Sequence, residues 1–147
     1  MGLIADLGSG PIALDTSIFI YFIEEHPDYL PHLAPVFSAV ASGKLEIATS
    51  AVTLLEVLVV PCRTGDLSLA ERYEALLTRS RGLHLIEIER AQLRLAAELR
   101  ALYRVRTPDA LQLAAALSQQ CTAFLTNNRD LPGIPGLKIL QLRDFLR

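Results

Sequence analysis

The chain has no tryptophan, one methionine and two cysteines in 147 residues, and each scarcity removes a class of function. Cys62 and Cys121 stand far apart and belong to no CxxC or Cys/His spacing, so zinc binding and dithiol chemistry have no footing. Two such thiols read as reduced, packed side chains of a cytoplasmic protein. His26, His32 and His84 share no ligand-like spacing either. With four tyrosines and five phenylalanines scattered along the chain, no interleaved stacking platform for single-stranded nucleic acid is visible. A run of 18 apolar residues is also missing. The greasiest stretch, AVTLLEVLVV, carries Glu56 in its middle, so no membrane span is expected. Asp6 interrupts the apolar run that a signal peptide needs, and no basic segment or small-residue cleavage pattern accompanies it. The expectation is a cytoplasmic protein without membrane attachment. A sequence pI of about 5.9 excludes a strongly basic nucleic-acid module.

What is present is a high apolar fraction, 51%, with 20% charged residues, enough for a core without disulfide staples. Without a linker, repeat or low-complexity stretch, residues 1–147 read as one domain. The net charge of −2 conceals a division. Residues 1–60 hold one lysine against seven acids, and residues 61–147 hold 13 basic groups against nine acids. Such asymmetry points to an electrostatic partner or an acidic site, or simply to solvated helix faces.

Short apolar runs alternate with helical patterns. Strands are expected at 11–14, 45–49, 83–88, 123–126 and 137–142. Helices are expected from Ser17, over 33–42 with Gly43 past its end, over 51–60 with Ser50 as cap and Pro61 as stop, and at about 68–80 and 89–102. A last helix runs from Thr107-Pro108-Asp109 to about 119, with Thr107 as its N-cap. Strands separated by helices imply right-handed parallel crossovers and a three-layer α/β/α sandwich around a central, mostly parallel sheet. In such sheets, ligands gather at the carboxyl ends of the strands.

The informative residues are acids standing where apolar residues belong. Glu56 shares a helical ridge with Val52 and Val60, and an unpaired charge on a buried ridge costs several kcal/mol in practice. Asp109 heads a ridge that continues through Leu113 and Ala116, although an acid in a first helical turn is also ordinary dipole chemistry. Asp15 follows an apolar strand directly. Asp130 lies four residues past the strand ending at Thr126. Acids gathered at one sheet edge repel each other unless a divalent cation holds them, and oxygen-only clusters suit Mg²⁺ or Mn²⁺.

Asp-Thr-Ser after the first strand, a mid-chain apolar helix bearing Glu56, and RTPDALQLAAAL followed by FLTNN resemble the PIN-domain ribonucleases, and among them the VapC-type toxins of toxin–antitoxin pairs. The resemblance runs from about Pro11 to Arg143 and implies a PIN-like fold and a metal-dependent endoribonuclease. It implies that Asp15 and Asp109 bind Mg²⁺ or Mn²⁺ and that Glu56 completes the acidic pocket. Thr16 or Thr126 would orient these acids as neighbouring hydroxyls. The chain departs from the family in TNNRDL, where an acid usual at the position of Asn128 is an amide. Either Asp130 substitutes after a shift of the loop, or Asn128 serves as a neutral oxygen ligand, or activity is lost and an inactive scaffold binds RNA or a protein partner.

RNA as substrate would need basic surroundings, for which Arg79, Arg81, Arg90, Arg94, Arg100, Arg104 and Arg106 are candidates. Five aromatics, Phe19, Tyr21, Phe22, Tyr29 and Phe37, crowd the segment that resembles the family's homodimer and antitoxin-docking region. They read equally as an apolar partner surface or as core.

Overall fold

The computed structural model describes residues 2–146. Its five strands are β1 (Ile12–Leu14), β2 (Ile47–Ser50), β3 (Leu83–Ile86), β4 (Ala123–Thr126) and β5 (Lys138–Gln141), in the order β3-β2-β1-β4-β5. Every pairing is parallel. The helices are α1 (Leu3–Leu7), α2 (Thr16–Ile23), α3 (Leu30–Ala41), α4 (Val52–Thr64), α5 (Leu67–Arg79), α6 (Arg90–Tyr103) and α7 (Thr107–Ser118). The three-layer sandwich is therefore the fold observed, with a sheet that is wholly parallel.

Side chains alternate across each strand and divide the core in two. Ile12, Leu14, Ile47 and Leu125 face a layer containing Ile18, Phe19, Leu33, Phe37, Tyr73 and Leu77. Ala13, Ala48 and Phe124 face the other layer, where Ala110, Leu113, Ala114 and Ala116 of α7 pack beneath α6. Residues 110–116 are all buried, as expected of a helix that is apolar all round.

Several local expectations change. Pro61 does not end α4. Its missing N–H forfeits one intrahelical bond, but the next turn still forms, and the helix ends at Gly65 with φ +73°. Thr107 is not an N-cap: it is the first helical residue, and its hydroxyl accepts from Arg100 Nη1 at 3.0 Å. Gly43 does close α3, at φ +81°. Its N–H reaches the Val40 carbonyl while that of Lys44 reaches Ala39, a Schellman pattern.

Helix α1, with Leu3 and Leu7 buried, was not anticipated. The strand expected to reach residue 142 stops at Gln141, and a 3₁₀ turn (Leu142–Phe145) follows. Cys121 is buried, which raises its thiol pKa to about 11, whereas Cys62 is exposed rather than packed.

None of the five clustered aromatics is exposed. Phe22 stacks on Phe37 at 3.8 Å between centroids, and Tyr21 lies 4.5 Å from Tyr29. Phe19 and Phe37 are buried in the core, and Tyr21, Phe22 and Tyr29 pack against it partly buried. The exposed apolar side chains lie elsewhere, notably Leu55, Val59 and Val60 on α4 and Leu67 at the start of α5. Among the described residues no helix is long and apolar enough to cross a membrane.

Candidate active site

Strand register assembles the site. Leu14 of β1 lies opposite Leu125 of β4, so the residues that follow, Asp15 and Thr126, meet at the carboxyl edge. Asp15 caps α2: Oδ1 accepts the Thr16 N–H at 2.8 Å, and Oδ2 accepts from the Thr126 hydroxyl at 2.6 Å. Glu56 enters from α4, with Oε1 accepting from the Thr16 hydroxyl at 2.6 Å. Asp109 enters from the first turn of α7. All three acids line one cleft of about 450 Å³, together with Ser17, Tyr21, Gln112, Asn127, Asn128 and Arg143.

The reason for Glu56's position differs from the sequence expectation. Its ridge is not buried throughout, because Val60 is 55% exposed. Glu56 instead sits at the cleft lip, one turn beyond the fully buried Thr53. Asp109 does head a buried ridge, since Leu113 and Ala116 are inaccessible. Its carboxyl pKa is raised, first by burial and then by the negative charge of Asp15, with a smaller contribution from Glu56. Arg106 and the Asn128 amide oppose the rise.

Asn128 and Asp130 are separated by the loop's own hydrogen bonds. The Asn128 N–H donates to Thr126 Oγ1 at 2.9 Å, and its side-chain oxygen accepts the Asp130 N–H at 2.9 Å. This turn sets Asn128 on the cleft wall and leaves Asp130 exposed outside it. A second cleft of about 310 Å³ adjoins the first across Asp109 and Asn128, and Tyr103, Arg104, Arg106 and Asp130 line it.

The arginines divide by use. Arg79 pairs with Glu71 and Arg94 with Glu98. Arg100 staples the α6–α7 turn through the Val105 carbonyl and Thr107. Among the described residues Arg104 and Arg106 form no salt bridge.

Sequence reasoning missed the polar residues beneath and beside the acids. Gln112, Thr49 and Thr53 are buried and mutually hydrogen-bonded. Arg143 is brought to the cleft because its N–H and guanidinium both bond Asn127, at 2.9 Å each. The signal for Gln112 was available: it is the one amide within the apolar run 110–117 and stands one turn after Asp109.

Among the described residues no group of three or more His, Cys, Asp or Glu side chains is disposed to hold a metal ion unaided. Mg²⁺ does not require such a cage, because it keeps several waters and takes one or two carboxylates. Two observations fit a hydrated cation here. The charges of Asp15 and Glu56 raise the Asp109 pKa, a repulsion that a cation relieves. The Ser17 hydroxyl, on the same cleft, is buried and has no hydrogen-bond partner among the described residues.

The family model described as PIN domain matches residues 12–137. The chain belongs to the PIN domain family. Its match spans all three acids and every strand except the last. The VapBC2 structure from Rickettsia felis, bound to a DNA fragment from its promoter, is similar in fold. That likeness has a TM-score of 0.68 at 20% identity, covering 89% of this chain and 98% of that one. A toxin–antitoxin complex from Klebsiella pneumoniae aligns with TM-score 0.64 at 24% identity, over 86% of this chain and 94% of that one. VapBC-5 from Mycobacterium tuberculosis aligns with TM-score 0.54 at 21% identity, over 90% and 98%. No curated protein matches the chain by sequence. This PIN domain thus has the fold of toxin–antitoxin proteins.

Proposed function

We propose that this PIN domain is a Mg²⁺- or Mn²⁺-dependent endoribonuclease, the VapC-like toxin of a toxin–antitoxin pair. The observation that carries the reading is the convergence of Asp15, Glu56 and Asp109, from three separate elements, on one cleft where they raise Asp109's pKa. Asp15 and Asp109 would hold the cation, with the Asn128 side chain beside them. A bound Mg²⁺ or Mn²⁺ would acidify the attacking water and offset charge developing on the scissile phosphate. Thr16 and Thr126 fix the two acids they touch. Glu56 has Oε1 tied to Thr16 and keeps Oε2 to orient the water and accept its proton. One P–O bond forms to the water oxygen, the P–O bond to the leaving ribose oxygen breaks, and that oxygen takes a proton from solvent. Arg143 on the cleft, with Arg104 and Arg106 beyond Asp109, would hold backbone phosphates.

The partner reading rests on the fold shared with toxin–antitoxin complexes. The exposed Leu55, Val59, Val60 and Leu67 offer an apolar surface for an antitoxin or a second copy.

Structured RNAs incubated with the protein are expected to be cut only when Mg²⁺ or Mn²⁺ is added. Asp15→Asn and Asp109→Asn should each lower the rate on the order of 10²–10³-fold. Cleavage by both variants at the wild-type rate would overturn the mechanism. The Arg104→Ala/Arg106→Ala double variant should weaken RNA binding and reduce the salt slope of log Kd by about 1–2. One observation favours a second reading, an inactive scaffold that binds RNA or a protein: the β4 loop brings two amides, Asn127 and Asn128, and no acid to the cleft. That reading predicts no cleavage by wild type or by Asn128→Asp.

A further inference from the structure

Gln112 is 2% exposed, yet its carboxamide makes four contacts of hydrogen-bond length. Oε1 lies 3.1 Å from the Ser50 N–H nitrogen and 3.2 Å from Thr49 Oγ1. Nε2 lies 2.7 Å from Thr53 Oγ1 and 3.3 Å from Thr16 Oγ1. A peptide N–H only donates, so the atom facing Ser50 must be the oxygen, and the NH₂ must face Thr16 and Thr53. An amide NH₂ only donates as well. Both threonine hydroxyls therefore accept from Gln112 and send their own protons elsewhere.

The onward acceptors are in place. Thr53 donates to Thr49 at 2.7 Å, and Thr49 donates to the Leu14 carbonyl at 2.8 Å, with Gln112 Oε1 as the longer alternative. Thr16 has two acceptors in reach, Thr53 Oγ1 at 3.1 Å and Glu56 Oε1 at 2.6 Å, and the shorter, charge-assisted contact to Glu56 takes its proton. The same Thr16 gives its backbone N–H to Asp15. Thr16 thus couples two of the three acids, and the amide behind it sets which way its hydroxyl points.

Resting on the nuclease reading, we infer that Gln112 is a positioning residue: its carboxamide, oriented by the Ser50 N–H, occupies the acceptor side of the Thr16 hydroxyl, turns that proton toward Glu56 and so holds the carboxylate in place beside Asp15. Gln112 itself touches no reacting atom. A carboxylate at 112 would reverse the polarity, because an ionised acid only accepts and would draw the Thr16 proton away from Glu56. A thioether at 112 would keep the volume but leave Thr16 free to rotate.

The test is a double-mutant cycle joined to a spectroscopic readout. Gln112→Glu and Gln112→Met should each lower kcat for RNA cleavage about 10–100-fold, with KM within about twofold. In a Thr16→Val background, which lacks the proton to be steered, changing Gln112 should cost little more. Losses that simply multiply in the double variants would overturn the inference, as would a wild-type kcat in folded Gln112→Met. The metal-free protein supplies the independent readout. The Thr16 hydroxyl proton should be protected and downfield-shifted in its NMR spectrum and should shift or broaden in both Gln112 variants, and its persistence unchanged there would also overturn the inference. If wild type cuts no RNA while the Thr16 signal responds as stated, the nuclease reading fails and the positioning role stands.

Discussion

The two faces of the sheet are packed with side chains of different size, and the difference separates stability from function. One face meets phenylalanine, tyrosine, leucine and isoleucine, including Phe19, Leu33 and Tyr73. The other meets α7 through alanines on both sides: Ala13 and Ala48 on the strands, Ala110 and Ala114 on the helix. Helix approach is set by the side chains at the contact, so the small pairs let α7 lie close to β1 and β2. That closeness carries Asp109 to Asp15 and lets Gln112 reach the Ser50 backbone at 3.1 Å. The large face fills volume; the small face fixes distances.

Substitutions on each face should break this contrast or sharpen it. The largest stability loss belongs to the large face. Leu33→Ala, at a fully buried site, should cost about 2–5 kcal/mol in urea unfolding while the folded fraction keeps its cleavage rate. Ala114→Leu on the small face should cost less, about 1–3 kcal/mol by overpacking. Yet it should reduce cleavage by the folded protein far more, since α7 must move away from the sheet. Equal activity losses for the two variants would refute the division.

A smaller effect has the opposite sign. Asp109→Asn removes a carboxyl whose pKa burial, Asp15 and Glu56 all raise, and should raise the melting temperature of metal-free protein at neutral pH by roughly 2–4 °C. The penalty in wild type is full above the raised pKa. It vanishes as the pH falls through that value toward the ordinary aspartate range, so the gap between the two proteins should close on acidification. Asn128→Asp should do the reverse at neutral pH, lowering metal-free stability while reducing the Mg²⁺ concentration needed for half-maximal cleavage.

Much of this was legible beforehand because it follows from local pattern. Strand β4 is found where its apolar run places it, and the alternation of strands and helices gave the layer order. Acids beside apolar runs marked Asp15, Glu56 and Asp109, which line the cleft, and also Asp130, which does not. The rest depends on contacts between distant segments. Thr107 has the composition of an N-cap, but Arg100 claims its hydroxyl. Asn128 lies closer to the strand end than Asp130, but only the loop's own bonds show one set on the cleft wall and the other left outside. Gln112's partners come from β2, α2 and α4, so its role appears only after the sheet has assembled.

The central claim, that Asp15 and Asp109 form one cation site on the cleft, is tested most directly by thermal melting across a Mg²⁺ or Mn²⁺ titration. Wild type should melt at rising temperature as cation is added, by the linkage of binding to folding. Asp15→Asn and Asp109→Asn should show little or no rise, from starting points at or above that of metal-free wild type. An equal rise in all three proteins would contradict the account.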